Sequence, residues 1–345
     1  MNMKKLSKNI FSILIVLSMF FTMILATGCA NHQEEPYTVV AFGDSISAGY
    51  APAGTSMFED YQKYASKKVD ISASCYTNLI AGQISASLKA ESDIDIKNVK
   101  AKSYAESGDK TSDLIAKINN KTKYPKLEND VKNANLITLC IGANNLLAPI
   151  SNKFSDYMTS SVTRDEIVAL LNEGYESFQR DYKNIIMPYF TKYSVPIFVM
   201  TIYNPFKYFD ISEVQVSESL IEKYPKISDF IDDVPKIIEL AEEYIEKIND
   251  YIRKQEYENV VVVDVYQSFN SLEASEFKTY INVDSSKLKI NAITDIFLLQ
   301  SNIYIDPHPT KAGQIYISQL FLNEIVANYT KGDTTDANKD IWKWS

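Results

Sequence analysis

The chain has 345 residues, with 35 Lys and Arg against 44 Asp and Glu and a formal charge of −9 with histidine neutral. That balance, with no cluster of Lys and Arg interleaved with aromatics, excludes a nucleic-acid binder, because an acidic surface repels phosphate backbones. Hydrophobic residues make up 46% of the chain, enough to bury a large core, and no Gly-Ser or Pro-rich linker divides it, so one main domain is expected.

The first segment reads as an address rather than as part of the fold. Lys4, Lys5 and Lys8 make a positive start, and Ile10 to Leu25 is apolar, uncharged, and too short and wrongly flanked for a spanning helix. Residues 1–28 are therefore expected to be an export signal, ending in Leu25-Ala26-Thr27-Gly28-Cys29. That run resembles a bacterial lipobox, with Ala26 where the pattern more often has leucine, and implies cleavage before Cys29 and diacylation of its thiol. A plain secretory signal is the alternative. On the lipobox reading residues 29–36 are a short tether, and the mature protein is exported and anchored at a membrane face. Removing residues 1–28 deletes three lysines and no acids, which takes the formal charge to −12. Of the two remaining cysteines, Cys140 lies inside an apolar run, so a buried thiol is expected rather than a disulfide.

Beyond the tether, apolar runs of strand length alternate with longer segments at helical period. The runs are Thr38 to Phe42, a weaker Asn98 to Tyr104, Leu136 to Ile141, Ile197 to Ile202 and Val260 to Val265. Continuous apolarity suits strands covered on both faces. Helices are predicted over Tyr76 to Leu88, Thr111 to Ile118, Glu166 to Met187 and Asp229 to Arg253, the last with Val234, Ile237, Ile238, Ala241, Tyr244, Ile245, Ile248 and Ile252 on one face. A final helix begins after Pro309, with Thr310 as N-cap and Ile317, Phe321 and Ile325 pointing inward. Strand and helix in alternation predict an α/β fold: a three-layer, flavodoxin-like, doubly wound parallel sheet over residues 37–330, followed by a tail at 331–345.

In such sheets the functional crevice lies outside the carboxyl ends of the strands. The loops there hold Gly43-Asp44-Ser45, then Glu106-Ser107-Gly108-Asp109, then Gly142-Ala143-Asn144-Asn145, and, before the last helix, Asp306-Pro307-His308-Pro309. The chain has two histidines, and His32 lies just after the export signal. A serine nucleophile that needs an imidazole base therefore has one candidate partner, His308.

These four blocks, in this order and spacing, resemble the SGNH or GDSL hydrolases, whose blocks carry serine, glycine, asparagine and histidine. The resemblance spans residues 43 to 309, nearly all of the expected mature domain. It implies an esterase in which Ser45 attacks the acyl carbon and His308 takes its proton, with Ser45 and Gly108 main-chain N–H groups and the Asn144 side chain forming the oxyanion hole. Loss of one such donor is worth about 2.7–4 kcal/mol of transition-state stabilisation. No cofactor or metal is implied, and the expected partners are a small or polymeric ester and, through Cys29, a membrane; a monomer is the expected state. Asp44 is expected to support the nucleophile loop without a catalytic step.

Two departures from the family pattern stand out. The aspartate usually found three residues before the histidine is here Ile305, while Asp306 lies two before. The flanking prolines favour extended backbone, in which residues two apart share a side, so either Asp306 or a main-chain carbonyl orients His308. Asn145 stands where many members have aspartate and is expected to support its loop. Tyr50 to Tyr76 and Tyr203-Asn204-Pro205-Phe206 either wall the acyl pocket or simply pack, and Trp342 and Trp344 either brush a membrane or glycan or pack on the domain. A noncatalytic glycan- or lipid-binding lipoprotein on the same fold remains the alternative function. A phosphate cradle at Gly43 to Gly49 lacks a P-loop pattern, and the α/β-hydrolase elbow lacks its second glycine.

Overall fold

The computed structural model of the chain describes residues 37–50, 75–91, 99–150, 163–224, 226–291, 305–331 and 342–344. The expected export signal at 1–28, Cys29, the expected tether at 29–36 and most of the Tyr50 to Tyr76 stretch lie outside the described residues. Residues 36–345 group as one compact unit.

Five parallel strands form the central sheet: β1 (Tyr37–Gly43), β2 (Val99–Ser103), β3 (Leu136–Cys140), β4 (Ile197–Met200) and β5 (Val260–Val263). Their order is β2-β1-β3-β4-β5, the flavodoxin-like order, so the chain reverses its winding between β1 and β3. The alternation of side chains across the pleat divides the apolar residues between two cores. Val40, Phe42, Ile137, Leu139, Ile197 and Val199 face helices α2 (Thr111–Asn119), α3 (Arg164–Asp181) and α4 (Lys226–Arg253), through Leu114, Leu171, Phe178, Ile245, Ile248 and Ile252. Val39, Leu136, Phe198, Met200 and Val263 face α1 (Tyr76–Glu91) and α5 (Lys311–Asn328), through Ile80, Ile84, Ile317, Phe321 and Ile325. This is the expected three-layer α/β fold. The weak second run is the edge strand β2, only partly covered.

Three details depart from the sequence reading. The helix expected over Glu166 to Met187 is α3 followed by a wider π-type turn at Tyr182–Ile186 and a last turn at Met187–Thr191. Pro188 explains the change: it has no N–H to give to Asn184, and widening the preceding turn keeps the helix going without that bond. The loop expected at Gly142 to Asn145 is already helical from 143 to 150, which puts Asn144 in a first turn. Finally, Ile281–Val283 (β6) and Ile305–Pro309 (β7) form an antiparallel pair outside the main sheet, which periodicity had not revealed. Trp342–Trp344 pairs antiparallel with Tyr329–Lys331, so the tail is joined to the end of the last helix.

Cys75 and Cys140 are both buried and free, as expected of inert thiols. Thr310 caps α5 as predicted: its Oγ1 accepts from Gly313 N at 3.1 Å, and its own hydroxyl donates to Thr279 O at 2.7 Å.

Candidate active site

The nucleophile block follows from the end of β1. Gly43 has φ +143°, and a Cβ there would sit 2.0 Å from the carbonyl oxygen of Cys140 on β3. Only glycine lets the two strand ends come this close. Asp44 N then donates to that same carbonyl at 3.1 Å, and the chain coils: Ala48 N reaches Asp44 O at 3.0 Å and Tyr50 N reaches Ser45 O at 2.9 Å. Asp44 is 1% exposed, and its Oδ1 accepts from Ile46 N at 3.0 Å. Burial raises its carboxyl to about 7, against the opposing pull of that N–H and of His308. The side chain braces the loop, as expected, and Ser45 itself is 7% exposed.

The second block docks on the first. Glu106 N donates to Gly43 O at 3.2 Å, and Gly108 takes φ +85° with no heavy atom within 4 Å of a would-be Cβ. Conformation, not crowding, requires glycine here, and the space before it is open. Lys117, buried on α2, donates to Tyr104 O at 2.9 Å and to the Asp109 carboxylate, which closes this loop from below. Burial lifts the Asp109 carboxyl to about 6, with Lys117 opposing.

Asn144 and Asn145 come from the turn after β3. Gly142, at φ +123°, leaves no room for a Cβ against the Phe178 ring, 2.8 Å away. Asn144 Nδ2 donates one hydrogen to Asp109 O at 3.1 Å, so the second and third blocks are joined next to Gly108. Asn145 is buried and supports its loop as expected. Its Nδ2 donates to Thr111 Oγ1 at 2.8 Å and Ser177 Oγ at 3.0 Å, and its Oδ1 accepts from Thr111 N at 3.1 Å. Two donated bonds account for an amide at this position, since a carboxylate has no N–H to give.

His308 reaches the site from β7. Between the pairs Ile281↔Pro309 and Val283↔Ile305 that strand has two residues more than its partner, a bulge spanning Asp306, Pro307 and His308. Bulges of this kind redirect side chains. Here His308 Nε2 lies 2.8 Å from Ser45 Oγ, and its Nδ1 lies 2.6 Å from Asp306 Oδ1. An ionised carboxylate only accepts, so Nδ1 carries the imidazole proton and Nε2 is left to accept from the serine. Of the two orienting groups the sequence left open, the Asp306 carboxylate is the one in contact with His308. The Tyr50 ring leans on the imidazole with centroids 4.4 Å apart.

The structure thus joins Ser45, His308 and Asp306 in one hydrogen-bonded chain, and Gly108 to Asn144 through Asp109. Three supporting residues had not been singled out for these roles. Tyr203, expected as a pocket wall or packing residue, is buried after β4, stacks on Phe269 and donates its hydroxyl to Pro307 O at 2.8 Å, under the histidine bulge. Lys117 sits three residues after buried Leu114 on the same helical face, a cation on an apolar stripe that could have signalled a buried pair. Gln314 lies on α5 and meets the nucleophile loop. Among the described residues, no group of three or more His, Cys, Asp or Glu is placed to hold a metal ion.

The family model described as GDSL-like Lipase/Acylhydrolase matches residues 39–321. Similar solved structures include a lipase from a goat rumen metagenome, at 18% identity and a TM-score of 0.47 over 83% of this chain and 96% of that one. An extracellular lipase from Streptomyces rimosus matches at 16% identity and a TM-score of 0.47, over 84% and 99%. An acetyl xylan esterase from Geobacillus stearothermophilus matches at 15% identity and a TM-score of 0.38, over 84% and 95%. A search of curated proteins found no match. With a match running from within β1 through all four blocks, the chain belongs to the GDSL-like lipase/acylhydrolase family and is a GDSL-type carboxylic ester hydrolase.

Proposed function

We propose that the ester is cleaved through an acyl-enzyme on Ser45, with His308 as general base and acid and Asp306 as its orienting partner. The observation that carries this reading is the continuous contact from Ser45 Oγ to His308 Nε2 and from His308 Nδ1 to Asp306 Oδ1, at 2.8 and 2.6 Å. In the first half-reaction the serine oxygen bonds to the acyl carbon while its proton moves to Nε2. The tetrahedral intermediate then expels the alcohol, which takes that proton from the imidazolium. Water repeats both steps on the acyl-enzyme and frees Ser45.

Asp306 has two effects in this sequence. It holds Nδ1 protonated, which makes Nε2 the acceptor, and its negative charge favours the imidazolium of each intermediate. The oxyanion is assigned to the main-chain N–H groups of Ser45 and Gly108 and to the Asn144 side-chain amide. The bond from Asn144 to Asp109 O supports that assignment, because it fixes the amide beside Gly108 and engages only one of its two hydrogens.

The lipobox-like sequence supports an exported esterase tethered by a lipid on Cys29, acting on acyl or acetyl esters of lipids or glycans at the membrane face. A fluorophosphonate that labels the wild type but not Ser45→Ala, with ester hydrolysis lost in parallel, tests the nucleophile. Retained labelling in that variant would remove it, and no labelling of the wild type would favour a noncatalytic binder. Activity in the presence of a chelator tests metal independence. A p-nitrophenyl ester series from acetate to palmitate separates glycan deacetylation from lipid hydrolysis, and metabolic labelling with palmitate, lost in Cys29→Ser, tests the anchor.

A further inference from the structure

We infer that Gln314 is a positioning residue for the Ser45–His308 contact, reaching the nucleophile loop from the helix that follows the histidine. This inference rests on the proposed catalytic roles of those two residues.

Gln314 is 0% exposed, which makes its amide costly unless both ends are paired. Both are. Its Oε1 accepts from Tyr76 N, the first residue of α1, at 2.8 Å, and its Nε2 donates to Ile46 O at 3.2 Å. Ile46 is the residue after Ser45. Gln314 itself is in the first turn of α5, whose start is seated firmly on Tyr280, the residue before β6: Thr310 N donates to Tyr280 O at 2.8 Å, and a Cβ on Gly313 would lie 2.2 Å from that same oxygen.

Ser45 and His308 are 263 residues apart in sequence. Through Gln314 they are connected by a short rigid path, from the imidazole through Pro309 and the capped turn of α5 to the main chain beside the nucleophile. Both partners of the amide are main-chain groups, so the glutamine is the one replaceable member of the link. Other bonds hold the same base: Ser47 Oγ and Tyr76 OH lie 2.9 Å apart, and Cys75 Sγ donates to Ser47 O at 2.9 Å. Those bonds tie the nucleophile loop to α1, whereas only Gln314 among the described residues ties it by a side chain to α5. Since misplacement of about 1 Å can cost 100-fold in rate, a link at this point acts on turnover more than on substrate binding.

The test compares Gln314→Leu and Gln314→Glu with wild type, reading kcat, KM and the fluorophosphonate labelling rate well below each melting midpoint. Gln314→Leu loses both bonds. The expected result is a fall in kcat of about tenfold, an equal fall in labelling rate and a KM within about twofold. Gln314→Glu keeps the acceptor for Tyr76 N and can donate to Ile46 O only while protonated. Its rate should therefore drop reversibly as the introduced carboxyl ionises, with an alkaline decline that the wild type lacks. A purely structural role would lower the melting midpoint and leave the pH profile unmoved. Wild-type kcat in folded Gln314→Leu, or a Gln314→Glu profile that superimposes on the wild type, overturns the inference. If Gln314→Leu does not fold, Gln314→Glu alone decides. Activity retained in Ser45→Ala would instead overturn the catalytic reading.

Discussion

The serine and histidine blocks meet at one hydrogen bond but are held in different ways. Ser45 leaves an inner strand of a five-stranded parallel sheet, and its loop is set first by main-chain packing, Gly43 against Cys140 O and the coil of bonds from Asp44 to Tyr50, with the side chains of Asp44, Ser47 and Gln314 bracing it. His308 sits on a bulged two-stranded ribbon outside that sheet and is held by side chains, namely Asp306 at the ring, Tyr203 under Pro307 and, through α5, Gln314. Ser45 takes its position chiefly from the backbone at the end of the sheet, whereas His308 depends more on a few replaceable side chains. Mutation on the serine side should therefore cost the fold, and mutation on the histidine side should cost rate.

The largest effect is expected on the serine side. Gly43→Ala places a methyl 2.0 Å from Cys140 O at a positive φ, and no flexible side chain can yield. The expected outcome is loss of cooperative folding or a destabilisation of several kcal/mol, read by thermal melts, since a backbone clash and an unfavourable φ add. An unshifted midpoint would break the contrast.

Next is Asp306→Asn. Its amide can donate to Nδ1, which favours the tautomer with the proton on Nε2 and removes the acceptor for Ser45. A fall in kcat of about 10³–10⁴-fold with a near-normal melting midpoint is expected. Tyr203→Phe keeps the stack on Phe269 and removes one donor from Pro307 O, worth about 1 kcal/mol. Steady-state kinetics should show kcat down about fivefold with little change in KM.

The smallest effect on rate is expected at Asp44, where the sign of the pH effect is the test. Its carboxyl ionises near 3.8 when unfolded and near 7 when folded. Between those values the folded chain holds a proton that the unfolded chain has lost, so this residue's contribution makes stability fall as pH rises. Asp44→Asn removes the effect and keeps an acceptor for Ile46 N. Melts from pH 4 to pH 8 should show the variant gaining on the wild type as pH rises, by an amount on the order of a few kcal/mol at the upper end. A constant difference across that range would deny the buried carboxyl its role.

Most of the fold was legible because a parallel sheet covered on both faces requires unbroken apolar runs, and helices between two layers require a stripe. Ile317, Phe321 and Ile325 are buried as the period of α5 demanded. The four site blocks were legible for a related reason: loops at strand ends carry polar residues and glycines that packing does not explain. The ribbon of β6 and β7 was hidden because a three-residue strand and a five-residue strand carrying two prolines have no clear period. The turn at Tyr182–Ile186 was hidden because it depends on how a helix accommodates Pro188.

By itself the sequence determined which groups could do chemistry, the order of the sheet's strands and main helices, and, with His308 the one histidine after His32, the single candidate imidazole partner for Ser45. It left open whether Asp306 or a carbonyl orients His308, because two residues apart face one side only if the backbone is regular, and here it is bulged. In the tertiary structure the Asp306 carboxylate is the group in contact with His308, and the buried supports at Lys117, Tyr203 and Gln314 come into view only there. Each donates to a main-chain oxygen on another element, 13, 104 and 268 residues away in sequence. Main-chain groups are the same at every residue, so no composition, period or motif can say which one a side chain will meet.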